Sequence, residues 1–326
     1  MDGQLDRIAA LESAMQQMQR ERQAERRAAD RRAHGWRALA TLLFLLILGV
    51  APQVGHADLT LEQRVAALEA KLQYLTTTGT EMYITRANLH IVNGTGATAS
   101  ANGLGNLVIG YNELRPPNPD GTDPNVRTGS HSLVVGAFNN YRSYGGMVAG
   151  YTNEISGPYA SASGGTLNTA SGKFASVTGG AGHTASGYAA SVSGGQANVA
   201  GGSYASVSGG WLNTASRGYA SVSGGQDNDA SGEDASVSGG FSNTASGSYA
   251  SVSGGASNNA TGYAASVSGG AVNHANAYYA SVSGGQGNFA SNNFASASGG
   301  YGNSANGAWS SVSGGVATSP TSPMPR

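Results

Sequence analysis

This chain has no cysteine and little charge, and both absences exclude whole classes of protein. None of its 326 residues is cysteine, so a disulfide scaffold and cysteine-ligated metal sites are excluded. Only 11% of the residues are charged and the formal net charge is −1, so no overall field attracts nucleic acid or acidic lipid. Beyond about residue 155 large aliphatic residues are scarce, and Gly, Ala, Ser, Asn and Val dominate. That composition is typical of a disordered linker unless it carries a strict period.

A strict fifteen-residue period organises the second half of the chain. The motif SVSGG begins at residues 191, 206, 221, 236, 251, 266, 281 and 311, with close variants at 161, 176 and 296. The full unit is SVSGGxxNxASGxYA. Both glycines and the alanine at the tenth position occur in every complete unit from 161 to 310, and His183 once replaces the asparagine at the eighth position. Nine units have an aromatic residue at the thirteenth or fourteenth position; the unit at 221 has Glu233 and Asp234 there.

Each residue of the unit suits one coil of a parallel β-solenoid. A valine between two serines points to the opposite face of a strand, and Gly-Gly permits a turn through positive φ. Asparagine tolerates a left-handed backbone, and stacked asparagine side chains form a ladder. Fifteen residues are too few for a helix pair but fit two short strands and two turns. We therefore predict a mainly β solenoid over residues 161–315. Its predicted core valines are Val177, Val192, Val207, Val222, Val237, Val252, Val267 and Val282.

The predicted coils bury little apolar surface. One valine, one alanine and one aromatic side chain barely offset the entropy of ordering fifteen residues. A second burial surface, such as the axis of a trimer, would stabilise the stacked coils.

The first 57 residues predict a basic helix followed by a membrane segment. In residues 1–37, apolar side chains at positions 8, 11, 15 and 18 form a heptad seam, and arginines accumulate after it. Residues 38–57 carry no formal charge and are long enough to span a bilayer, although the strongly apolar part is nearer the length of a signal-peptide core. An uncleaved signal anchor and a cleaved signal peptide both fit. The preceding arginines predict a cytoplasmic amino end and a repeat domain outside the cytoplasm.

Residues 58–78 predict a short parallel coiled coil that serves as a neck. Leucines or valine at positions 61, 65, 68, 72 and 75 are spaced four, three, four, three. Thr60 and Gln63 form a capping box before them.

Two segments match the Arg-h-x-x-h-Glu pattern of trimeric coiled coils, in which h is apolar. In this pattern the arginine stem covers the seam and its guanidinium pairs with the glutamate of a neighbouring helix. The two matches predict a homotrimer, and ordinary edge charges of a dimer are the alternative. The trimer-specifying residues are Arg7, Ile8, Leu11 and Glu12 in the first match and Arg64, Val65, Leu68 and Glu69 in the second.

Residues 79–160 predict a β-rich transition into the solenoid. Met82–Thr85 and Leu89–Val92 have the pattern of short strands. Three later segments share the shape of SVSGG but are more aliphatic, namely NLVIG (106–110), SLVVG (132–136) and GMVAG (146–150). We predict that they are the first coils of the same solenoid and that their bulky residues cap its end.

The x-h-V-x-G pattern at a fourteen-residue spacing, with Asn and Ala-x-Gly turns, resembles the head repeats of YadA-like trimeric autotransporter adhesins. The resemblance covers about residues 105–315. It implies a trimeric left-handed parallel β-roll on a coiled-coil stalk at the bacterial surface, with SVSGG as the inner strand of each coil. The chain departs from that family in its fifteen-residue period and in its end, VATSPTSPMPR, where a stalk and membrane barrel are expected. Attachment through residues 38–57 and a disordered tail over 316–326 are therefore expected.

Few residues indicate catalysis or metal binding. The six histidines are not paired at ligand spacing, and His183 and His274 are expected to be solvated at turns. Asp120 and Asp123, in a loop over residues 113–129, are weak Ca²⁺ candidates, for which a plain exposed turn is the better interpretation. No cofactor is expected.

The sequence leaves three functions to compare. The first is an exported, non-enzymatic trimer that acts as a surface adhesin or spacer on an unknown surface, matrix or glycan ligand, without nucleic acid. An ice-binding solenoid is the alternative, but it favours Thr-x-Thr rows over Ser-Val-Ser. A polysaccharide-acting β-helix would need clustered carboxylates, whereas the acids of the repeats fall in one unit (Asp227, Asp229, Glu233 and Asp234) and are expected to be solubility charges.

Overall fold

A computed structural model describes residues 60–316. The predictions for residues 1–57, including the trimer motif from Arg7 to Glu12, lie outside the described residues, as does the tail beyond Val316. The chain divides into one unit that ends at Asn88 and a second that begins at Leu89. Among residues 60–316, no helix has both the length and the apolar character that a membrane span requires.

The described part of the first unit is a capped helix followed by a hairpin. Helix α1 (Leu61–Leu72) begins with the predicted capping box, in which Thr60 Oγ1 accepts from Gln63 N at 3.3 Å and Gln63 Oε1 accepts from Thr60 N at 2.9 Å. Strands β1 (Leu75–Thr78) and β2 (Glu81–Ile84) then pair antiparallel. The second trimer motif lies on α1, but the predicted seam is wrong at Leu75, which begins β1. Three consecutive β-branched threonines follow it, and they favour a strand over another helical turn.

The second unit is a parallel β-solenoid with two principal sheets. Sheet A has fourteen strands, each hydrogen-bonded to the strand one coil away: Leu107–Ile109, Leu133–Ala137, Met147–Tyr151, Ser161–Ala162, Ser176–Val177, Ser191–Val192, Ser206–Val207, Ser221–Val222, Ser236–Val237, Ser251–Val252, Ser266–Val267, Ser281–Val282, Ser296–Ala297 and Ser311–Val312. Sheet B has twelve strands: Asn140–Tyr141, Glu154–Ile155, Thr169–Ala170, Thr184–Ala185, Val199–Ala200, Thr214–Ala215, Asp229–Ala230, Thr244–Ala245, Asn259–Ala260, His274–Ala275, Phe289–Ala290 and Ser304–Ala305.

The strand register confirms the predicted coil length. Val177 lies opposite Val192, fifteen residues later, and the same step recurs through the repeats. Val134 lies opposite Val148 at the predicted fourteen-residue step, so the aliphatic segments are the first coils of the same solenoid. The predicted strand Leu89–Val92 is wrong. These residues run into a turn around Asn93, whose side chain bonds Ser100 and whose backbone N donates to His131 Nε2.

Valine and alanine fill the interior of the coils. All eight predicted core valines are buried, with at most 1% of the side chain exposed. The alanine at the tenth position is buried as well, as predicted from its small size. A second alanine at the fifteenth position, for example Ala175 or Ala190, is equally buried and closes the coil ahead of the next strand.

A ladder of buried asparagines joins each coil to the next. In coil after coil the asparagine Oδ1 accepts the backbone N–H of its counterpart one coil later, as from Asn273 to Asn258 at 3.0 Å. Its Nδ2 donates twice, for Asn258 to Gly254 O at 2.8 Å and to Gly270 O at 3.0 Å. The predicted ladder is thereby confirmed, and it satisfies backbone groups that would otherwise be buried without partners. Its members are Asn139, Asn153, Asn168, Asn198, Asn213, Asn228, Asn243, Asn258, Asn273, Asn288 and Asn303, with His183 in the remaining place.

The turns beside the ladder explain the invariant second glycine of the pair. Gly255 has φ +90°, and a Cβ there would lie 2.1 Å from Gly270 O and 2.6 Å from Asn258 Nδ2. The left-handed backbone expected at the asparagines is not found there, because the ladder asparagines do not have positive φ. Two other positions of the unit have it instead. They are the residue before each asparagine, such as Leu212 at φ 57°, and the fourteenth residue, such as Tyr219.

His183 is buried in the ladder, so its predicted solvated position is wrong. Residues at one place in the period share one environment, and His183 therefore inherits the burial of asparagine. Its Nδ1 accepts from Asn198 N at 3.0 Å, which requires a neutral ring with the proton on Nε2. That Nε2 has no hydrogen-bond partner, and burial lowers the pKa of His183.

We predict that Asn258→Ala destabilises the solenoid. The substitution leaves Asn273 N and Gly254 O without a partner and removes one of the two hydrogen bonds to Gly270 O, which keeps that from Ala256 N, at a cost of about 2–4 kcal/mol. Urea unfolding followed by circular dichroism measures the change. Ser257→Ala, at an exposed position of the same coil that Ala197 holds in an earlier coil, is the control and should change the unfolding free energy by no more than about 0.5 kcal/mol. Equal effects of the two substitutions would contradict a structural ladder.

We predict that His183→Asn raises stability and removes a pH dependence. Asparagine can donate where Nε2 has no partner, a gain of about 1 kcal/mol. Because the folded-state pKa of His183 is lowered, its contribution to stability is complete above the unfolded pKa of about 6.5 and is lost as the pH falls through the folded value. Unfolding free energies between pH 8 and 4 should therefore fall more steeply for the wild type than for the variant. Parallel curves would rule out this role.

Candidate interaction surfaces

Aromatic side chains form a long exposed row on the solenoid. The thirteenth and fourteenth residues of successive coils bring rings within 4.0–5.7 Å of one another from Tyr159 to Tyr219 and again from Tyr249 to Trp309. When the fourteenth residue is alanine, as at Ala189, the thirteenth supplies the ring, here Tyr188. We call this row the aromatic ladder. Its rings are about half exposed, so they add less to burial than the sequence suggested.

The outer face of sheet A changes character along the solenoid. In the repeats it presents the two serines of Ser-Val-Ser, on the side opposite the buried valine, as predicted. In the first three coils the same positions hold aliphatic residues, and we call these six side chains the apolar patch. It consists of Leu107, Ile109, Leu133, Val135, Met147 and Ala149. Leu107 and Ile109 are 45% and 55% exposed.

The loop over residues 113–129 is held to the coils by hydrogen bonds of Arg115 and of Asn140, whose side chain accepts from Val126 N and donates to Pro124 O. Arg115 donates from Nε to Phe138 O at 2.7 Å and from Nη2 to Thr152 O at 2.9 Å. Glu154 lies 3.8 Å from Arg115 Nη1 and 2.9 Å from Arg142 Nε. These bonds hold the loop against the side of the solenoid.

Asp120 and Asp123 each close a turn within this loop. Asp120 Oδ1 accepts from the backbone N and hydroxyl of Thr122, and Asp123 Oδ1 accepts from the backbone N and side-chain amide of Asn125. These hydrogen bonds lower the pKa of both carboxyls. Within residues 60–316 no three His, Cys, Asp or Glu side chains come together as a metal site would require. Asp120 and Asp123 thus each stabilise a turn of this loop.

The four acids of unit 221–235 are distributed around a single coil. Asp227 accepts from Ser242 Oγ, and Asp229, on sheet B, accepts from Ser231 Oγ, each at 3.0 Å. Burial raises the pKa of Asp229 against the lowering effect of the Ser231 hydrogen bond, and Asp227 raises it further. Glu233 and Asp234 replace the aromatic residues of the ladder. Sequence reasoning placed all four in one unit but did not show that they face in different directions.

His274 is also placed differently from the prediction. It begins a strand of sheet B and stacks on Phe289, with ring centroids 4.7 Å apart. Partial burial lowers its pKa. The fifteen-residue period could have predicted this strand position, because His274 is equivalent in the repeat to Thr169 and Thr184.

Comparison with protein-family models gives no match, and comparison with curated proteins gives none either. The parallel β-solenoid of fifteen-residue coils is thus established by the register of its strands.

Proposed function

We propose that this chain is an exported, non-enzymatic homotrimer that acts as a surface adhesin or spacer. The observation that carries the proposal is the aromatic ladder, an exposed row to which every repeat from 161 to 310 except that at 221 contributes an aromatic side chain. Large exposed apolar surfaces are typical of interaction sites. A repeated row offers many equivalent weak contacts, and their combination gives avidity without one deep pocket.

The apolar patch supports association of the chain with copies of itself. Its aliphatic side chains stand on a sheet face that elsewhere carries only small polar residues, and burial of such side chains contributes about 25 cal/mol per Å². Along the repeats, the serines of the same face would let neighbouring solenoids approach closely.

The distribution of acids in unit 221–235 also favours a trimer in which the outer face of sheet A lies at the axis. In a parallel, in-register trimer, a residue at the axis meets its own copies. Asp227, Asp229, Glu233 or Asp234 at the axis would bring three like charges together, which is unfavourable. The stretch Ser221–Gly225, which contains the sheet A strand of this coil, carries no acid. The trimer would therefore leave the aromatic ladder outside, available to partners.

Helix α1 supports the trimer through its own composition. None of its residues is buried within one chain, although Leu61, Val65 and Leu68 are apolar. A coiled coil of three such helices, with Arg64 and Glu69 paired between neighbours, would cover them. With the resemblance to YadA-like heads, this extends the proposal to a bacterial cell surface or periplasm, and to attachment through residues 38–57.

An ice-binding role has less support in the arrangement of side chains. The place in sheet B held by Thr169, Thr184, Thr214 and Thr244 is taken elsewhere by valine, asparagine, aspartate, glutamate, histidine, phenylalanine and serine. Such interruptions prevent a regular hydroxyl and methyl lattice. A thermal-hysteresis assay separates this alternative from adhesion.

We predict that residues 58–326 sediment as three chains at micromolar concentration. Leu133→Ser/Val135→Ser/Met147→Ser gives the patch the serines of the repeat and should shift the protein toward monomer, with an unchanged circular dichroism spectrum. Leu167→Ser, at an exposed residue outside sheet A, is the matched control and should leave the trimer intact. A monomeric wild type would overturn the trimer. A triple variant that stays as trimeric as the control would move the interface to another face.

A further inference from the structure

The aromatic ladder is interrupted at one coil of the described repeats. Rings follow one another as far as Tyr219 and resume at Tyr249. Between them, unit 221–235 has Glu233 and Asp234 at the two positions that supply rings elsewhere. The interruption leaves a space flanked by two tyrosines, which we call the tyrosine slot.

Tyr219 turns an open ring face toward this slot, and the Tyr249 ring, which is inclined by 66° to that of Tyr263, borders it on the other side. The Tyr219 ring is nearly parallel to that of Tyr204, with an interplanar angle of 5° and centroids 5.1 Å apart, so its other face is turned toward the slot. Tyr219 and Tyr249 are 57% and 54% exposed, more than Tyr159 (40%) or Tyr204 (50%), whose rings have neighbours on both sides. The higher exposure is expected where one neighbour is missing.

The width of the slot corresponds to one missing ring. Neighbouring strands lie about 4.8 Å apart, and Tyr219 and Tyr249 are two coils apart, so roughly 9–10 Å separate their levels. A flat group inserted midway would lie at the same distance from each ring as ladder rings lie from one another. A sugar ring or a tetrahedral ammonium lacks this flat shape.

Two carboxylates give the slot a negative charge. Asp234 N donates to Gly218 O at 2.9 Å and Tyr249 N donates to Glu233 O at 2.7 Å, so both acids are fixed between the coils of the two tyrosines. Glu233 Oε1 lies 2.6 Å from where a Cβ of Gly218 would be, next to Tyr219. In the part of the chain that the structure describes, ion pairs involve only Glu154. The carboxylates of Glu233 and Asp234 accept no hydrogen bond in these residues and form no ion pair with Arg217 of the preceding coil.

We propose that the tyrosine slot binds a guanidinium group, supplied by an arginine side chain of a partner polypeptide. A guanidinium is flat and permanently charged, and it stacks on aromatic faces. Its N–H groups can form charge-assisted hydrogen bonds to carboxylates at the edge of the slot. The inference rests on the proposed function in one respect, since it needs the aromatic ladder to face solvent.

The slot can be closed with residues that the repeat itself uses. Glu233→Ser/Asp234→Tyr gives this unit the Ser-Tyr pair of residues 248 and 249, and it should complete the ladder without disturbing the coil. Glu233→Gln/Asp234→Asn keeps the slot open but removes its charge. The two variants separate the requirement for space from the requirement for charge.

The test uses the full chain and the blocked peptides Gly-Arg-Gly and Gly-Lys-Gly, with binding followed by saturation-transfer NMR of the peptide. The arginine peptide should bind the wild type at least about tenfold more tightly than the lysine peptide does. Each double variant should weaken arginine binding by at least about tenfold, with an unchanged circular dichroism spectrum. Equal binding of both peptides, or undiminished binding by either variant, would overturn the proposal. Sedimentation of the same samples reports the oligomeric state independently, so failure of the slot and failure of the trimer are distinguishable.

Discussion

The buried asparagine ladder fixes the geometry of the whole solenoid. Each side chain, such as Asn228, bonds glycine carbonyls of its own coil and of the next, and it accepts the backbone N–H of the next asparagine. A slip of one residue would bury these backbone groups without partners, at about 1–3 kcal/mol for each group. A one-residue slip would also turn the buried valine to the outer face of sheet A. Directional hydrogen bonds and apolar packing therefore set the same register.

A fixed register turns each position of the unit into a row on the surface. The thirteenth and fourteenth positions of successive coils lie next to one another, so aromatic side chains there form a ladder, and the serines of Ser-Val-Ser form a row of small polar side chains on sheet A. A unit whose sequence departs from the repeat therefore changes the row at a single coil. His183 places a titratable ring in the otherwise uncharged asparagine ladder. Glu233 and Asp234 interrupt the aromatic ladder. Function in such a fold depends on the exceptions as much as on the repeats.

Much of this fold can be predicted from the sequence, because each position of the repeat has the same structural role in successive coils. Alternation around valine predicts the strand, the invariant glycines predict the turn, and the period predicts the stacking. The environment of individual residues is harder to predict, because it follows coil position more than residue type. His183 is polar yet buried, and the ladder tyrosines are large yet half exposed. Leu75 fits a helical seam, but the threonines after it favour a strand. The tyrosine slot depends on ring stacking, which sequence spacing alone does not show.

Residue-resolved amide hydrogen exchange tests the stacked, asparagine-bonded solenoid most directly. The backbone amides of ladder asparagines such as Asn213 and Asn258 are donated to the preceding coil, whereas those of Ser203 and Ser248, at the thirteenth position, have no acceptor. The structure predicts that protection alternates with a fifteen-residue period, with the asparagine amides among the slowest to exchange and the thirteenth-position amides among the fastest. Uniformly fast exchange, or asparagine amides that exchange as rapidly as those serines, would contradict it.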